Sequence, residues 1–331
     1  MTGRTLIGPD GGDLHEEVVA VRSVVKRHED VSALDGADLW VGRGTIHGLV
    51  GPNGAGKTTL LAILFGLSGF ESGSVRVCGV DRPRVPNGVL PGVAGFLESP
   101  SFYPYLSARR NLALLAAYDG GASAGAVDEA LTAVSLTDRA TAKVGGFSVG
   151  MRQRLGIAAA LIRSPELLIL DEPGNGLDPN GVRDLHALLR RLSGDGMSIL
   201  LSSHDMDEIE SLAGSVTILT RGTVAFEGTM ASMRASAPAP TFLLQTSNDE
   251  VAAEVMRARP GVTVRERVAA ADGLQDSALL IEAERDDLDA VVIALGKAEI
   301  AVRSMQLEST ALRSFFYALT ERVSGASAEA A

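Results

Sequence analysis

The sequence contains one cysteine and no long hydrophobic run. A lone cysteine cannot form an intramolecular disulfide, which excludes a disulfide-stapled fold and favours a reducing compartment. We expect Cys78 to be a small core residue rather than a nucleophile. No segment supplies the roughly 18 consecutive apolar residues of a membrane helix, and residues 1–17 lack the apolar region of a signal peptide. These absences predict a globular cytoplasmic protein.

Basic residues are fewer than acidic ones. The chain has 30 Lys and Arg against 41 Asp and Glu, a formal net charge of −11. Phosphate backbones are neutralised by Lys and Arg, so nucleic acid is not expected as a main partner. Lysine itself is rare, which draws attention to Lys57 within a glycine-rich segment.

The length and patterning indicate two domains. At roughly 150 residues per domain, the 331 residues are enough for about two. A Pro-, Ala- and Ser-rich stretch at 235–241 separates two periodic regions, as a linker would. We therefore predict domains at 17–235 and 236–323, with small, polar, disordered tails at 1–16 and 324–331.

The first domain alternates short β-type runs with helical patterns. This alternation predicts an α/β fold with a largely parallel sheet. An Ala- and Leu-rich stretch at 108–140 contains no convincing strand and indicates a helical insertion at about 98–163. The predicted strands are 45–50, 167–170 and 198–201, and the predicted helices are 58–67 and 182–192.

The second domain is predicted to be a small α+β domain. Its order is βαββαβα, similar to a split βαβ unit, and no catalytic pattern is evident in it. The predicted strands are 242–245, 262–268, 278–283 and 302–307, and the predicted helices are 249–258, 288–295 and 311–321.

A P-loop pattern stands between the first predicted strand and helix. Its glycines permit a tight turn that points backbone N–H groups at phosphate oxygens, and the helix N-terminus favours the negative charge. Lys57 would reach the β and γ phosphates of a nucleotide, and the Thr58 hydroxyl would bind Mg²⁺. The predicted phosphate-binding residues are Gly51, Pro52, Asn53, Gly54, Ala55, Gly56, Lys57, Thr58 and Thr59.

Two acidic residues follow the buried strand 167–170. Carboxylates at the carboxyl end of such a strand emerge where ligands bind in open α/β sheets. We predict that Asp171 holds Mg²⁺ and that Glu172 polarises the attacking water.

Together with a third motif, these residues resemble the ATP-binding subunits of ATP-binding-cassette (ABC) transporters over about residues 20–230. The segment Phe147-Ser148-Val149-Gly150-Met151 is similar to the family signature, which contacts the γ phosphate bound by a second subunit. Ser148 alone is also a plain helix N-cap. Asp178 resembles the family's D-loop aspartate, and His204 resembles the H-switch histidine, which implies a catalytic role beside Glu172.

Some positions depart from the family pattern. Glu98 stands where the Q-loop glutamine is usual, and it is predicted to approach the Mg²⁺. His28 stands at the position of the aromatic residue that stacks on adenine, and its smaller π face predicts weaker stacking. Val149 and Met151 replace the commoner signature residues.

The resemblance implies an ATPase with ATP and Mg²⁺ as cofactors. In the family, two cassettes close on two nucleotides, so a homodimer or a heterodimer is implied. The partner would be a separate membrane permease that exports a drug, an antibiotic, a peptide or a lipid-like substrate. This chain would then lie at the cytoplasmic face of the membrane. The sequence around the Q-loop and the C-terminal domain are most similar to those of bacitracin and daunorubicin resistance subunits.

The aromatic segment Phe102-Tyr103-Pro104-Tyr105 has two interpretations. It would either anchor a permease helix or lie in the core of the insertion. The second domain is expected to stabilise the dimer or the permease contact.

Two other functions stay open. One is a soluble ABC ATPase acting on DNA or ribosomes, although neither a second P-loop nor sustained heptads are present. The other is a regulatory nucleotide-binding module without turnover, which the presence of Glu172 and His204 disfavours.

Overall fold

The structure is a computed structural model. It describes residues 17–29, 31–85, 88–118, 120, 125–269, 277–310, 313–317 and 319. The predicted tails and part of the predicted helix 311–321 lie outside these residues. The chain divides into two compact units, the first ending at Met230 and the second beginning at Ala231. The predicted boundary at 235/236 lies close to this division.

The described part of the first unit contains two sheets and a set of helices. Its helices are α1 (Lys57–Phe65), α2 (Ala108–Tyr118), α3 (Ala126–Ala133), α4 (Val149–Leu161), α5 (Pro179–Gly194) and α6 (Met206–Leu212). Its strands are β1 (Glu17–His28), β2 (Val31–Gly42), β3 (Ile46–Val50), β4 (Ser72–Val77), β5 (Val80–Asp81), β6 (Val93–Phe96), β7 (Leu167–Leu170), β8 (Ser198–Ser203), β9 (Ser215–Thr220) and β10 (Thr223–Thr229).

The larger sheet has six strands in the order β10-β9-β3-β8-β7-β6. All neighbours are parallel except the β10–β9 pair at one edge. Strands β3, β7 and β8 are buried along their whole length, as expected for a sheet covered on both faces. The predicted α/β fold is confirmed. Because these strands are parallel, their carboxyl ends meet at one edge of the sheet.

The second sheet, in the order β2-β1-β4-β5, is antiparallel and was not predicted from the sequence. Strand β1 buries Val18, Val19, Val21 and Val24. Register shifts against β2 fall between Glu17 and Val19 and between Val21 and Val24, so the two-residue alternation that marks a strand is broken. This sheet packs in the same hydrophobic core as α1.

Cys78 lies in the turn between β4 and β5 and is half-buried against that core. Burial raises the pKa of its thiol to about 11. The thiol is therefore neutral at physiological pH, and a nucleophilic role is disfavoured.

The insertion is helical, as predicted. Helices α2, α3 and α4 pack on one another, with single 3₁₀ turns at Thr137–Arg139 and Val144–Gly146. No strand occurs among the described residues of 97–163. The described part of this region therefore consists of helices and loops.

The described part of the second unit is a four-stranded antiparallel sheet with helices. It contains β11 (Thr241–Thr246), α8 (Asp249–Arg257), β12 (Val262–Ala269), β13 (Ser277–Ala283), α9 (Arg285–Lys297) and β14 (Val302–Ser309), preceded by α7 (Met230–Ser236) at the division. The strand order β12-β13-β11-β14 is that of a split βαβ unit. Residues 313–317 are helical. Within the described residues of both units, no helix is long and apolar enough to cross a membrane.

Candidate functional site

The P-loop joins the end of β3 to the start of α1. Gly54 and Gly56 have φ values of 80° and 106°, a region that residues with a Cβ rarely adopt. A Cβ on Gly56 would lie 2.4 Å from the Ala33 carbonyl oxygen, so a side chain has no room there. Pro52, Asn53 and Gly54 are exposed. The loop therefore offers its tip to solvent at the N-terminus of a helix, which favours anions.

Lys57 is folded back over this loop and is only 6% exposed. Its Nζ donates a hydrogen bond to the Gly51 carbonyl oxygen at 2.6 Å. The same nitrogen lies 3.4 Å from Oε1 of Glu172. The ammonium group thus stands between the P-loop and the carboxylate that follows β7.

Asp171 lies at the carboxyl end of β7 and is 3% exposed. Thr58, in the first turn of α1, donates from Oγ1 to Asp171 Oδ2 at 2.8 Å. Ser202, at the end of the neighbouring strand β8, donates a short hydrogen bond to Asp171 Oδ1. The backbone N–H of Glu172 donates to Ser202 Oγ at 2.9 Å. Three segments are therefore fixed around one buried carboxylate.

Glu172 is the residue at which β7 turns away from the sheet. Its φ of 49° lies in the left-handed region, which is uncommon outside glycine and recurs at functional sites. Its Oε2 lies 2.5 Å from Nδ1 of His204. The imidazole is exposed and the carboxyl is partly buried. The structure thus brings the two predicted catalytic residues into contact.

The predicted Mg²⁺ site has suitable ligands. Mg²⁺ prefers hard oxygen atoms and takes few of them from protein, leaving the rest to water and phosphate. The Thr58 hydroxyl and the Asp171 carboxylate are such oxygens, and they already lie together beside the P-loop. If the hydrogen bond between them broke, both oxygens would be available to bind the ion.

Glu98 and His28 are less closely tied to this centre. Glu98 is exposed beyond the end of β6, with φ of 61°. Because β6 neighbours β7, Glu98 lies at the same edge of the sheet as Asp171. His28 is the last residue of β1 and is exposed. Within the described residues, no hydrogen bond joins it to the P-loop.

The signature and D-loop segments form a separate site. Ser148 caps α4, its Oγ accepting from the Met151 N–H at 3.2 Å. Asp178 caps α5, its Oδ1 accepting from the Gly181 N–H at 2.7 Å. Both residues line a cavity of about 420 Å³ between these helices, together with Val149 and Gly150 and with no residue of the P-loop.

Sequence patterns gave Ser202 and Ser203 no role beyond their place next to His204. The structure shows that Ser202 bridges Asp171 and the Glu172 N–H. The sequence signal for this contact was that residues 171–172 and 202–204 each follow a predicted buried strand. Adjacent parallel strands bring the residues at their carboxyl ends together at one edge of the sheet.

Comparison with known proteins agrees with these features. Residues 34–175 match the family model described as ABC transporter. The bacitracin transport ATP-binding protein BcrA of Enterococcus faecalis is 38% identical over 213 residues, 64% of this chain and 69% of that protein. The daunorubicin resistance ATP-binding protein DrrA3 of Streptomyces coeruleorubidus is 34% identical over 313 residues, 92% of this chain and 96% of that protein.

The likeness extends to solved structures. A dimeric ATP-binding cassette in a post-hydrolysis state with ADP and Pi is 25% identical and superposes with a TM-score of 0.56, over 64% of this chain and 98% of that chain. The similarity to DrrA3 extends into the second unit, since it covers 92% of this chain. On these grounds the chain belongs to the ATP-binding proteins of the ABC transporter family.

Proposed function

We propose that this chain binds ATP at the P-loop and hydrolyses it to drive a separate membrane permease. The observation that carries the catalytic part is the position of Glu172. One carboxylate oxygen lies 3.4 Å from Lys57 Nζ and the other lies 2.5 Å from His204 Nδ1. A carboxylate held between a phosphate-binding lysine and an imidazole is placed to accept a proton from a water that attacks the γ phosphate.

Each remaining residue of the site has a role in this proposal. The P-loop residues from Gly51 to Thr59 hold the phosphates, and His204 orients the water and the γ phosphate. Thr58 and Asp171 hold Mg²⁺, with Glu98 nearby at the same edge. The ion would neutralise charge that develops on the phosphate oxygens. His28 would contact the adenine.

The proposal includes a dimer because one chain holds only half of a composite site. Ser148, Gly150 and Asp178 line a cavity that no P-loop residue enters. In a head-to-tail pair, the signature residues from Ser148 to Met151 would meet the nucleotide on the other cassette, and Asp178 would couple the two sites. The similarity to a dimeric cassette supports this arrangement. The second cassette is a copy of this chain or a sister subunit.

A groove in the first unit supports the permease contact. It has a volume of about 330 Å³, and it lies between core residues such as Phe65 and Val89 and residues of the helical insertion. Its exposed insertion side includes Leu115 and Tyr118, and Tyr118 is 81% exposed. An apolar helix face would fit such a groove. This contact would hold the chain at the cytoplasmic face of the membrane.

The aromatic segment supports the same contact. Tyr103 and Tyr105 are 47% and 65% exposed, and their ring centroids lie 5.8 Å apart. This exposure favours an anchoring role over burial in the core of the insertion.

We propose an exporter of drugs, antibiotics, peptides or lipid-like molecules, on the basis of what the relatives are named for. The second unit would stabilise the dimer or the permease contact. Deletion of residues 236–331 without loss of assembly would oppose that role. A soluble ABC ATPase acting on DNA or ribosomes is the competing function, and it predicts no membrane partner.

The test is copurification of the tagged full-length chain from detergent-solubilised membranes. The proposal predicts that an integral membrane protein is recovered and that it stimulates Mg²⁺-dependent ATP hydrolysis. A neighbouring reading frame with about six membrane-spanning segments would identify the candidate permease. Hydrolysis that is stimulated by DNA or ribosomes, with no membrane protein recovered, would support the competing function. Tight ATP binding without turnover would indicate a regulatory module.

A further inference from the structure

Glu208 lies in the first turn of α6 and contacts two side chains from other parts of the first unit. Its Oε2 accepts a hydrogen bond from Ser203 Oγ at 2.7 Å. Its Oε1 lies 3.5 Å from Nε2 of His186 on α5. The side chains of Glu208 and His186 are 12% and 8% exposed. A carboxylate this buried is costly unless its partners are well placed, so this cluster is a built feature of the fold.

The Ser203 end of the cluster adjoins the catalytic histidine. Ser203 directly precedes His204, and its Oγ accepts a hydrogen bond from the Asp205 N–H at 3.0 Å. The Ser203 hydroxyl thus joins the residues before and after His204, and it donates a hydrogen bond to Glu208. Displacement of the Glu208 carboxylate would release the turn that carries the imidazole.

The His186 end of the cluster adjoins the other parts of the site. His186 lies on the helix that Asp178 caps, and its Nδ1 lies 3.2 Å from Ser211 Oγ on α6. Glu208 also packs on the loop that follows Glu172, since a Cβ on Gly174 would lie 2.5 Å from its Oε1. One carboxylate therefore touches the segments that carry His204, Glu172 and Asp178.

The helix that carries Glu208 does not need this cluster for capping. The Asp205 side chain already caps α6 by accepting from the Asp207 N–H at 2.9 Å. A surface glutamate would meet the preference for negative charge in a first helical turn equally well. The inward orientation of Glu208 therefore calls for another explanation.

We propose that Glu208 is a positioning residue that holds Ser203, and through it His204, in register with Glu172. The inference rests on the proposed function, in which His204 takes part in ATP hydrolysis. Glu208 touches neither nucleotide nor water in this role. It acts by limiting the freedom of the imidazole, and small misplacements of a catalytic group are known to slow reactions greatly.

The first experiment compares full-length Glu208→Ala, Glu208→Gln and the same-helix control Glu210→Gln. ATP affinity and the single-turnover rate of Mg²⁺-dependent ATP hydrolysis are measured for each. We expect Glu208→Ala to slow hydrolysis about 10- to 100-fold with little change in ATP affinity, because only positioning is lost. Glu208→Gln keeps an oxygen for Ser203 and should recover most of the rate. An unchanged rate in Glu208→Ala would overturn the proposal.

The second experiment separates positioning from general destabilisation by combining Glu208→Ala with His204→Ala. In the His204→Ala background, Glu208 has no imidazole to position. If Glu208 acts through His204, the double variant should therefore hydrolyse ATP at the rate of His204→Ala alone. Equal fold losses in both backgrounds would overturn the inference while leaving the proposed function intact. A His204→Ala variant as fast as the wild type would instead contradict the proposed function.

A third pair of variants covers the case in which Glu208→Ala does not fold. Ser203→Ala removes the hydroxyl that joins Glu208 to the turn, and Ser203→Thr retains it. The proposal predicts slow hydrolysis for Ser203→Ala and a near-normal rate for Ser203→Thr, with similar unfolding temperatures for both. Equal hydrolysis rates in the two variants would overturn it.

Discussion

The imidazole Nδ1 of His204 lies 2.5 Å from the Glu172 carboxylate, although the two residues follow different strands of the sheet. Glu172 follows β7 and His204 follows β8, which are parallel neighbours. Their contact lies at the edge of the sheet formed by the carboxyl ends of the strands, where the P-loop follows β3. The contact between Glu172 and His204 is therefore a product of strand order.

Glu172→Gln should abolish ATP turnover while nucleotide binding persists. The amide is of similar size but cannot accept a proton from the attacking water. We expect hydrolysis to fall at least about 100-fold, within the range for loss of a general base. Hydrolysis is measured by phosphate release and binding by titration with ATP. Glu166→Gln, a surface substitution just before β7, serves as the control and should retain activity. Undiminished hydrolysis in Glu172→Gln would show that Glu172 takes no part in the mechanism.

Thr58→Ala should weaken nucleotide binding in a Mg²⁺-dependent way. The substitution removes the hydroxyl that lies 2.8 Å from Asp171 Oδ2, one of the two oxygens that we assign to the ion. Thr58→Ser retains that hydroxyl and should behave like the wild type. ATP affinity is titrated at several Mg²⁺ concentrations and again with EDTA. An affinity loss that is the same with and without Mg²⁺ would argue against a metal ligand at Thr58.

A buried polar network on strands β3, β9 and β10 of the six-stranded sheet makes the free energy of unfolding depend on pH. His47 Nε2 lies 2.9 Å from Thr217 Oγ1. Thr217 Oγ1 donates to Glu227 Oε1 at 3.5 Å, and the Trp40 N–H donates to the same oxygen at 2.7 Å. Burial, opposed by the hydrogen bond from Trp40 and reinforced by the charge of Asp38, raises the pKa of Glu227 from 4.5 to about 7. Burial lowers the pKa of His47 from 6.5 to about 3.

The direction of the Glu227 effect follows from its raised pKa. Between about pH 4.5 and pH 7 the folded chain holds a proton that the unfolded chain has lost, so its contribution to stability falls as the pH rises. Glu227→Gln is neutral throughout and keeps an oxygen for Trp40. We expect its free energy of unfolding, relative to the wild type, to rise by up to about 3 kcal/mol from pH 4.5 to pH 8.

Urea unfolding of both proteins at several pH values measures this difference. The lowered pKa of His47 makes stability rise with pH between about 3 and 6.5, but this contribution is common to both proteins and cancels in the comparison. Parallel stability curves for wild type and Glu227→Gln would contradict an unfavourable Glu227 charge.

Tyr105 should cross-link to the permease. Because Cys78 is the only cysteine, a chain with Cys78→Ser and Tyr105→Cys carries a single thiol, on a side chain that is 65% exposed in the native residue. A short thiol-reactive cross-linker should join this chain to the copurified membrane protein. The matched control is Val31→Cys in the same background, at an exposed position on the antiparallel sheet. Equal cross-linking from both positions would show that the contact is not specific.

Some parts of the fold followed from local sequence patterns. Strand β7 matches its predicted range of 167–170, and α4 begins after Ser148, which is the N-cap that the sequence also allowed. These elements carry strong local signals, a fully apolar run and a capping residue. Strand β1 had no such signal, because bulges interrupt its alternation and its partner β4 is distant in the sequence.

The site shows the same division. The P-loop was readable because phosphate binding is local: glycines, a lysine and a helix start within a few residues. By itself, the sequence determined the family, the α/β class and the residue types available for nucleotide chemistry. Only the tertiary structure decided that Ser202 holds Asp171 and that Glu208 holds Ser203 against His186. The Ser202–Asp171 and Glu208–His186 contacts depend on strand order and helix packing, which bring together residues 31 and 22 positions apart, and no short-range pattern records that arrangement.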